Sequence, residues 1–210
     1  MGSVPDLVQI FPLINIPLPM DAVYRRLGYK RGITKVDVHE REEIERHIDY
    51  AVAIVSLKGA GLRVSLKEVT PNLVVLGTDV EIESAKLARF LKGCKEALFI
   101  GSTAGSEVMD AIRKDTEGGD MTRGVVIDAV ASEMTDAALD WITGFFNRLL
   151  ARENARLTSG RFSAGYGDFL LENQKLMYDT LELDRIGVKI NENFILIPEK
   201  SVTAVAGIYT

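Results

Sequence analysis

Gly59-Ala60-Gly61-Leu62-Arg63-Val64-Ser65-Leu66-Lys67 is the stretch on which the fold turns. Beyond the glycines, Leu62, Val64 and Leu66 alternate with Arg63, Ser65 and Lys67, the period-two pattern of a strand with one buried face. Pro71-Asn72 then turns the chain into Leu73 to Leu76, and Gly77 to Asp79 turns it again into Val80 to Ile82. Connections this short join antiparallel neighbours, because a parallel crossover needs a dozen residues or more.

Upstream of this ladder the period is helical. Asp37 followed by Glu40 resembles a capping box, and Ile44, Ile48, Ala51, Val52 and Val55 repeat at helical spacing to about Leu57. Glu42, Glu43, Glu45, Arg46 and Asp49 form its solvated face. Pro19 before Met20 and Gly28 at the far end bracket a shorter helix. Downstream, Ser84 caps a helix carrying Leu87, Ala88 and Leu91 that ends near Gly93, and Ala97 to Ile100 is a buried strand. A helix through Val108 and Ile112 stops at Gly118-Gly119. From Asp120, the steps Val126, Val130, Met134, Ala138, Trp141, Phe145 and Leu149 mark one long buried helix with weak points at Gly124 and Gly144. Leu176, Met177 and Leu181 suggest another helix ended by Gly187; Val188 to Ile190, Phe194 to Ile197 and Ser201 to Tyr209 follow as strands.

Strands grouped before and after helices predict an α+β fold: a mostly antiparallel twisted sheet packed with helices, one of them long and buried. Residues 1–210 are expected to form a single domain, with 1–58 as a helical amino-terminal segment packed on it. Hydrophobic content of 47% with 26% charged residues belongs to a globular chain. A net charge of -5 with scattered Lys and Arg offers no basic stripe for nucleic acid. Cys94 is the only cysteine, which excludes an intramolecular disulfide and a multi-thiolate zinc site and fits a reducing cytoplasm. Val4 to Met20 is apolar but broken by prolines and lacks the basic start of a signal peptide. Nothing approaches the run of about 18 apolar residues that spans a bilayer. A soluble cytoplasmic protein with no membrane partner is expected.

Familiar chemistries fail on inspection. Gly101 to Ser106 sits between a strand and a helix, yet lacks the Gly-Lys-Ser/Thr ending of a phosphate loop. Gly165-Tyr166-Gly167 begins like a dinucleotide fingerprint, but Leu170 takes the third glycine's place. His39 and His47 lie about 12 Å apart along a helix axis, too far to share a metal. Asp37-Val38-His39 opens like a corrinoid-ligand motif, but Glu42 stands where glycine is required. Cys94, between Lys92 and Lys95, is read as a packed small hydrophobe.

The ligand-site candidate is Arg161-Phe162-Ser163-Ala164-Gly165-Tyr166-Gly167-Asp168. Arginine offers a planar fork for a carboxylate, glycines permit close backbone approach, and tyrosine adds a flat face. As residues alone, the run reads first as an ordinary surface turn between a long helix and the next one. Glu133, Asp136 and Asp140 share one face of the long helix, usually a solvated one, and an acid there can approach Arg161. An acid opposite an arginine is what an amino-acid zwitterion requires.

Arg161-x-x-x-Gly165-Tyr166, read with Pro198-x-x-Ser201-Val202-Thr203, resembles the activation domain of cobalamin-dependent methionine synthase, in its freestanding single-domain form. That family carries Arg-Pro-x-Pro-Gly-Tyr-Pro and Pro-x-x-Ser-Val-Ser-Gly. The resemblance runs from about Ser84 to Ala206. It implies a module that binds S-adenosylmethionine and acts in trans on the cobalamin-binding domain of a methionine synthase. Cob(II)alamin there receives an electron from a flavodoxin-like or ferredoxin-like donor, then a methyl group. By the same resemblance, Arg161 holds the methionine carboxylate, Ser163, Gly165, Tyr166 and Gly167 line the ligand, and Asp136 takes the place of the family's acidic residue on the long helix. No metal site is implied, and the chain is not expected to be catalytic alone. Ala164 and Gly167 replace prolines, Asp136 replaces a longer glutamate, and the chain ends at Thr210, before a tyrosine-bearing segment of the large enzymes. The alternative reading is a docking protein for a corrinoid methyltransferase that has lost S-adenosylmethionine binding.

Overall fold

A computed structural model describes residues 7–29 and 37–210. The start of the apolar amino terminus, Val4 to Asp6, lies outside them. In chain order the elements are β1 (Gln9–Phe11), α1 (Met20–Arg26), α2 (Val38–Ile54), β2 (Lys58–Val69), β3 (Leu73–Leu76), β4 (Glu81–Glu83), α3 (Ala85–Phe90) and β5 (Glu96–Thr103). There follow α4 (Glu107–Gly118), α5 (Met121–Leu150), β6 (Arg156–Leu157), α6 (Asn173–Thr180), β7 (Lys189–Ile190), β8 (Leu196–Ile197) and β9 (Ser201–Tyr209).

The main sheet runs β4-β3-β2-β5-β9-β6, with β1 added beside β2, and every pairing among the described residues is antiparallel. Long β2 organises it. One edge pairs with β5 from Lys58↔Thr103 to Ser65↔Glu96. The other edge is divided between β1, at Gly59 to Gly61, and β3, beyond a bulge between Leu66 and Glu68. Strand β9 pairs with β5 over its length, from Glu96↔Ile208 to Thr103↔Ser201.

Helices cover both faces of the central strands. Leu98, Ile100, Ala204 and Ala206 pack with α1, α2, α4 and α5, whereas Ala97, Phe99 and Val205 pack with α3 and α6. Burial on both sides explains why Ala97 to Ile100 reads as an unbroken apolar run instead of an alternation.

Helix starts follow local chemistry. The Asp37 carboxylate accepts from the His39 and Glu40 amides, Ser84 Oγ accepts from Leu87 N, and Asp120 accepts from Arg123 N. The capping box is only half formed, because Glu40 Oε1 accepts instead from Tyr29 OH at 3.0 Å. Gly119, at φ +83, ends α4 in the left-handed conformation that glycine adopts freely.

Several sequence boundaries move. Helix α2 stops at Ile54, since Val55 turns extended and leads into β2. Gly59-Ala60-Gly61 lies within β2, not before it, because the sheet contributes hydrogen-bond partners on both edges. Val80 falls outside β4. The amino-terminal segment also supplies β1 to the main sheet, so it is not purely helical. Helix α5 is continuous through Gly124 and Gly144. Its buried ridge ends on Ile142, Phe146 and Leu150, one position beyond the expected Trp141, Phe145 and Leu149. Ile142 and Phe146 fit where Gly59 and Gly61 have no Cβ, while Trp141 and Phe145 pack their rings around Phe11.

Helices α4 and α5 are tied by a nearly inaccessible carboxylate. Arg123 grips Asp115 with two nitrogens, the Nε contact being 2.7 Å, and also lies over the Tyr50 ring. These hydrogen bonds hold the Asp115 carboxyl below its ordinary value. A lowered folded-state value means that the pair stabilises the fold at neutral pH and loses that contribution as pH falls through it. Arg123→Met is therefore expected to lower Tm near neutrality. Melts from about pH 7 to about pH 3 should show the gap to the parent chain closing on acidification.

Candidate functional site

The Arg161–Asp168 run follows β6 along the β9 edge of the sheet and leads toward α6. At its start, Phe162 exchanges two backbone hydrogen bonds with Val205 of β9, at 2.8 and 2.7 Å. The Phe162 ring packs against Phe90, Tyr166 and Phe169. Inside the run, Tyr166 N donates to Ser163 O and Gly165 N donates to Phe169 O at 2.8 Å. Gly165 and Gly167 hold φ of +85 and +66, which side-chain-bearing residues rarely adopt. Tyr166 is 69% exposed, so its ring is presented rather than packed away.

Arg161 reaches α5, as its spacing from the acidic face anticipates. Its direct partner is Asp140, with NH1 donating to Oδ1 at 2.5 Å. Glu133, one turn before Asp136 on the same face, is taken by Arg26 of α1 at 2.5 Å. Asp136, between them, accepts no hydrogen bond among the described residues, although the Arg161 charge acts on it. Partial desolvation is the largest influence on its carboxyl and raises it from the ordinary value; Arg161 opposes the rise, and Glu133 and Asp140 add to it. Asp136 is thus a carboxylate between two ion pairs, open to solvent and without a cation bonded to it.

The carboxy-terminal motif is a structural lock. Ser201 Oγ donates to Pro198 O at 2.6 Å and lies 2.8 Å from Thr103 Oγ1, closing the turn into β9. Lys200 then bonds Asp128 at 2.6 Å and Ser132 at 3.0 Å, about two turns and one turn before Asp136 on α5. Sequence reasoning singled out the Asp136, Asp140 and Arg161 neighbourhood but not Lys200. Its only signal was a lysine inside the resembling motif. The Gly101 to Ser106 segment is no phosphate loop, because Gly101 to Thr103 are still part of β5. Cys94 is buried, and burial raises its thiol pKa, which suits a packed side chain.

The site can do three things at once: place a cation where a carboxylate can meet it, leave an acid for an ammonium or sulfonium, and present an aromatic face beside glycine backbone. Among the described residues, no helix is long and apolar enough to cross a membrane.

No protein-family model matches the sequence, and no curated protein is similar enough to align. The solved structure of the MetH reactivation domain bound to AdoHcy is similar in fold, with a TM-score of 0.68 at 12% identity, covering 97% of this chain and 78% of that one. The chain therefore has a reactivation-domain-like fold, the α+β architecture with a long helix against an antiparallel sheet.

Proposed function

We propose that this chain binds S-adenosylmethionine and acts in trans, in the cytoplasm, as the reactivation module of a cobalamin-dependent methionine synthase. One observation carries the reading: Arg161 and the unbonded Asp136 lie together on a fold like that of a domain solved with AdoHcy. The donor set fits the ligand. Arg161 would take the carboxylate of the methionine moiety, Asp136 its ammonium, and Ser163, Gly165, Tyr166 and Gly167 would line the remainder. Held there, S-adenosylmethionine would supply a methyl group, leaving as S-adenosylhomocysteine, to the cobalamin of a partner's cobalamin-binding domain once a flavodoxin-like or ferredoxin-like donor had reduced it by one electron. The chain's own residues bind and orient; they do not carry the bond-making step.

Isothermal titration with S-adenosylmethionine tests the ligand. Asp136 must be ionised to hold an ammonium, so binding is expected to weaken as pH falls through its pKa, which desolvation raises from the ordinary value. Asp136→Asn should bind more weakly at neutral pH and lose that acid limb. Identical pH profiles for the two proteins would remove Asp136 from the site. The second reading, a docking protein without ligand binding, is favoured by the Arg161–Asp140 pair, which already gives the cation a counter-charge. It predicts no heat in the same titration.

A further inference from the structure

We infer that Asp168 is the positioning residue of the ligand loop, acting as a clasp that holds residues 163–167 in their binding shape without touching the ligand. The inference rests on the proposed S-adenosylmethionine site. The Asp168 carboxylate reaches across 84 positions of sequence to the start of α3. Ser84 Oγ donates to it at 2.6 Å, Ala85 N at 2.9 Å and Lys86 N at 3.2 Å. Ser84 is itself buried and accepts from Leu87 N, so the clasp is anchored in the core beneath α3. The Ser84 hydroxyl and the α3 amides keep Asp168 ionised below the ordinary carboxylate range.

The loop has a fastening at each end. Phe162 is bonded to Val205 of β9 at one end, and Asp168 is bonded to α3 at the other. Between them lie Ala164 and two glycines in left-handed conformations, Gly165 and Gly167. Glycine leaves the backbone freer than any other residue. A loop with two such glycines needs a tertiary restraint to keep it from sampling other shapes, and Asp168 is the side chain that provides one. Ordering a loop at the moment of binding weakens affinity, so removal of the clasp should appear as lost ligand affinity even though Arg161 is untouched.

Asp168→Ala is expected to weaken S-adenosylmethionine binding about tenfold, with Asp168→Asn intermediate because it keeps an acceptor oxygen for the α3 amides. Hydrogen exchange should accelerate at the amides of residues 163–167 in Asp168→Ala while those of β5 stay protected. If the alanine variant does not fold, the asparagine variant decides the affinity comparison. Wild-type affinity in the Asp168 variants, alongside lost binding in Arg161→Ala, overturns this inference alone. No binding by the unaltered chain overturns the proposed ligand and this inference together.

Discussion

Arg161→Ala is expected to remove most S-adenosylmethionine binding, a loss of about 2 to 5 kcal/mol measured by titration at neutral pH. The size follows from what the guanidinium does. Among the described residues it donates only through NH1, to Asp140, so its remaining donors are available to a ligand carboxylate. Without it, a bound carboxylate would face Asp140 and Asp136 with no cation between them. Arg161→Lys should fall between the parent chain and the alanine variant, because lysine keeps the charge but not the planar fork. Equal affinity in all three proteins would show that the ligand sits elsewhere.

The second large effect concerns stability. Gly61→Ala is expected to cost about 1 to 3 kcal/mol and to lower Tm by several degrees. A Cβ built at Gly61 overlaps Phe146 Cε2 and stands 3.0 Å from Cζ, and that ring is buried between α5 and the sheet. Neither partner can give easily, since β2 is bonded on both edges at this point and α5 is fixed by Ile142 in the notch at Gly59. Phe146→Leu in the same chain should recover part of the loss, and a double-mutant cycle on Tm would measure the coupling. Additive losses would mean that the two residues do not share the contact.

These two sites show different degrees of legibility. The strand over Ser201 to Tyr209, the Asp120 start of α5 and the Gly119 end of α4 were readable because each is set by local signals: period, cap or glycine. The two-residue β6 and three-residue β1 were not, because they are strands only by virtue of the edge they pair with. Gly59 to Gly61 read as lying before the strand for the same reason; its glycines serve the close approach of α5, a tertiary demand. On α5 the expected ridge takes a three-residue step from Ala138 to Trp141, whereas the buried ridge keeps the four-residue step through Ile142, Phe146 and Leu150; both faces are apolar there, so residue type does not choose between them.

At the site, helical spacing was enough to bring Glu133, Asp136 and Asp140 onto one face and to bring that face to Arg161. Which carboxylate bonds the guanidinium depends on loop geometry that spacing does not contain, and Asp140 does so. Asp168 shows the limit most plainly. Nothing near it in sequence marks it as a helix cap, because the helix it caps begins at Ala85.

The most direct test of the proposed role is spectroscopic. A methionine synthase lacking its own reactivation domain, held as cob(II)alamin, is mixed with this chain, S-adenosylmethionine and a flavodoxin-like or ferredoxin-like reductant. The expected result is growth of the methylcobalamin spectrum that requires both the chain and S-adenosylmethionine and fails with Arg161→Ala. A cob(II)alamin spectrum unchanged by addition of the chain would contradict it.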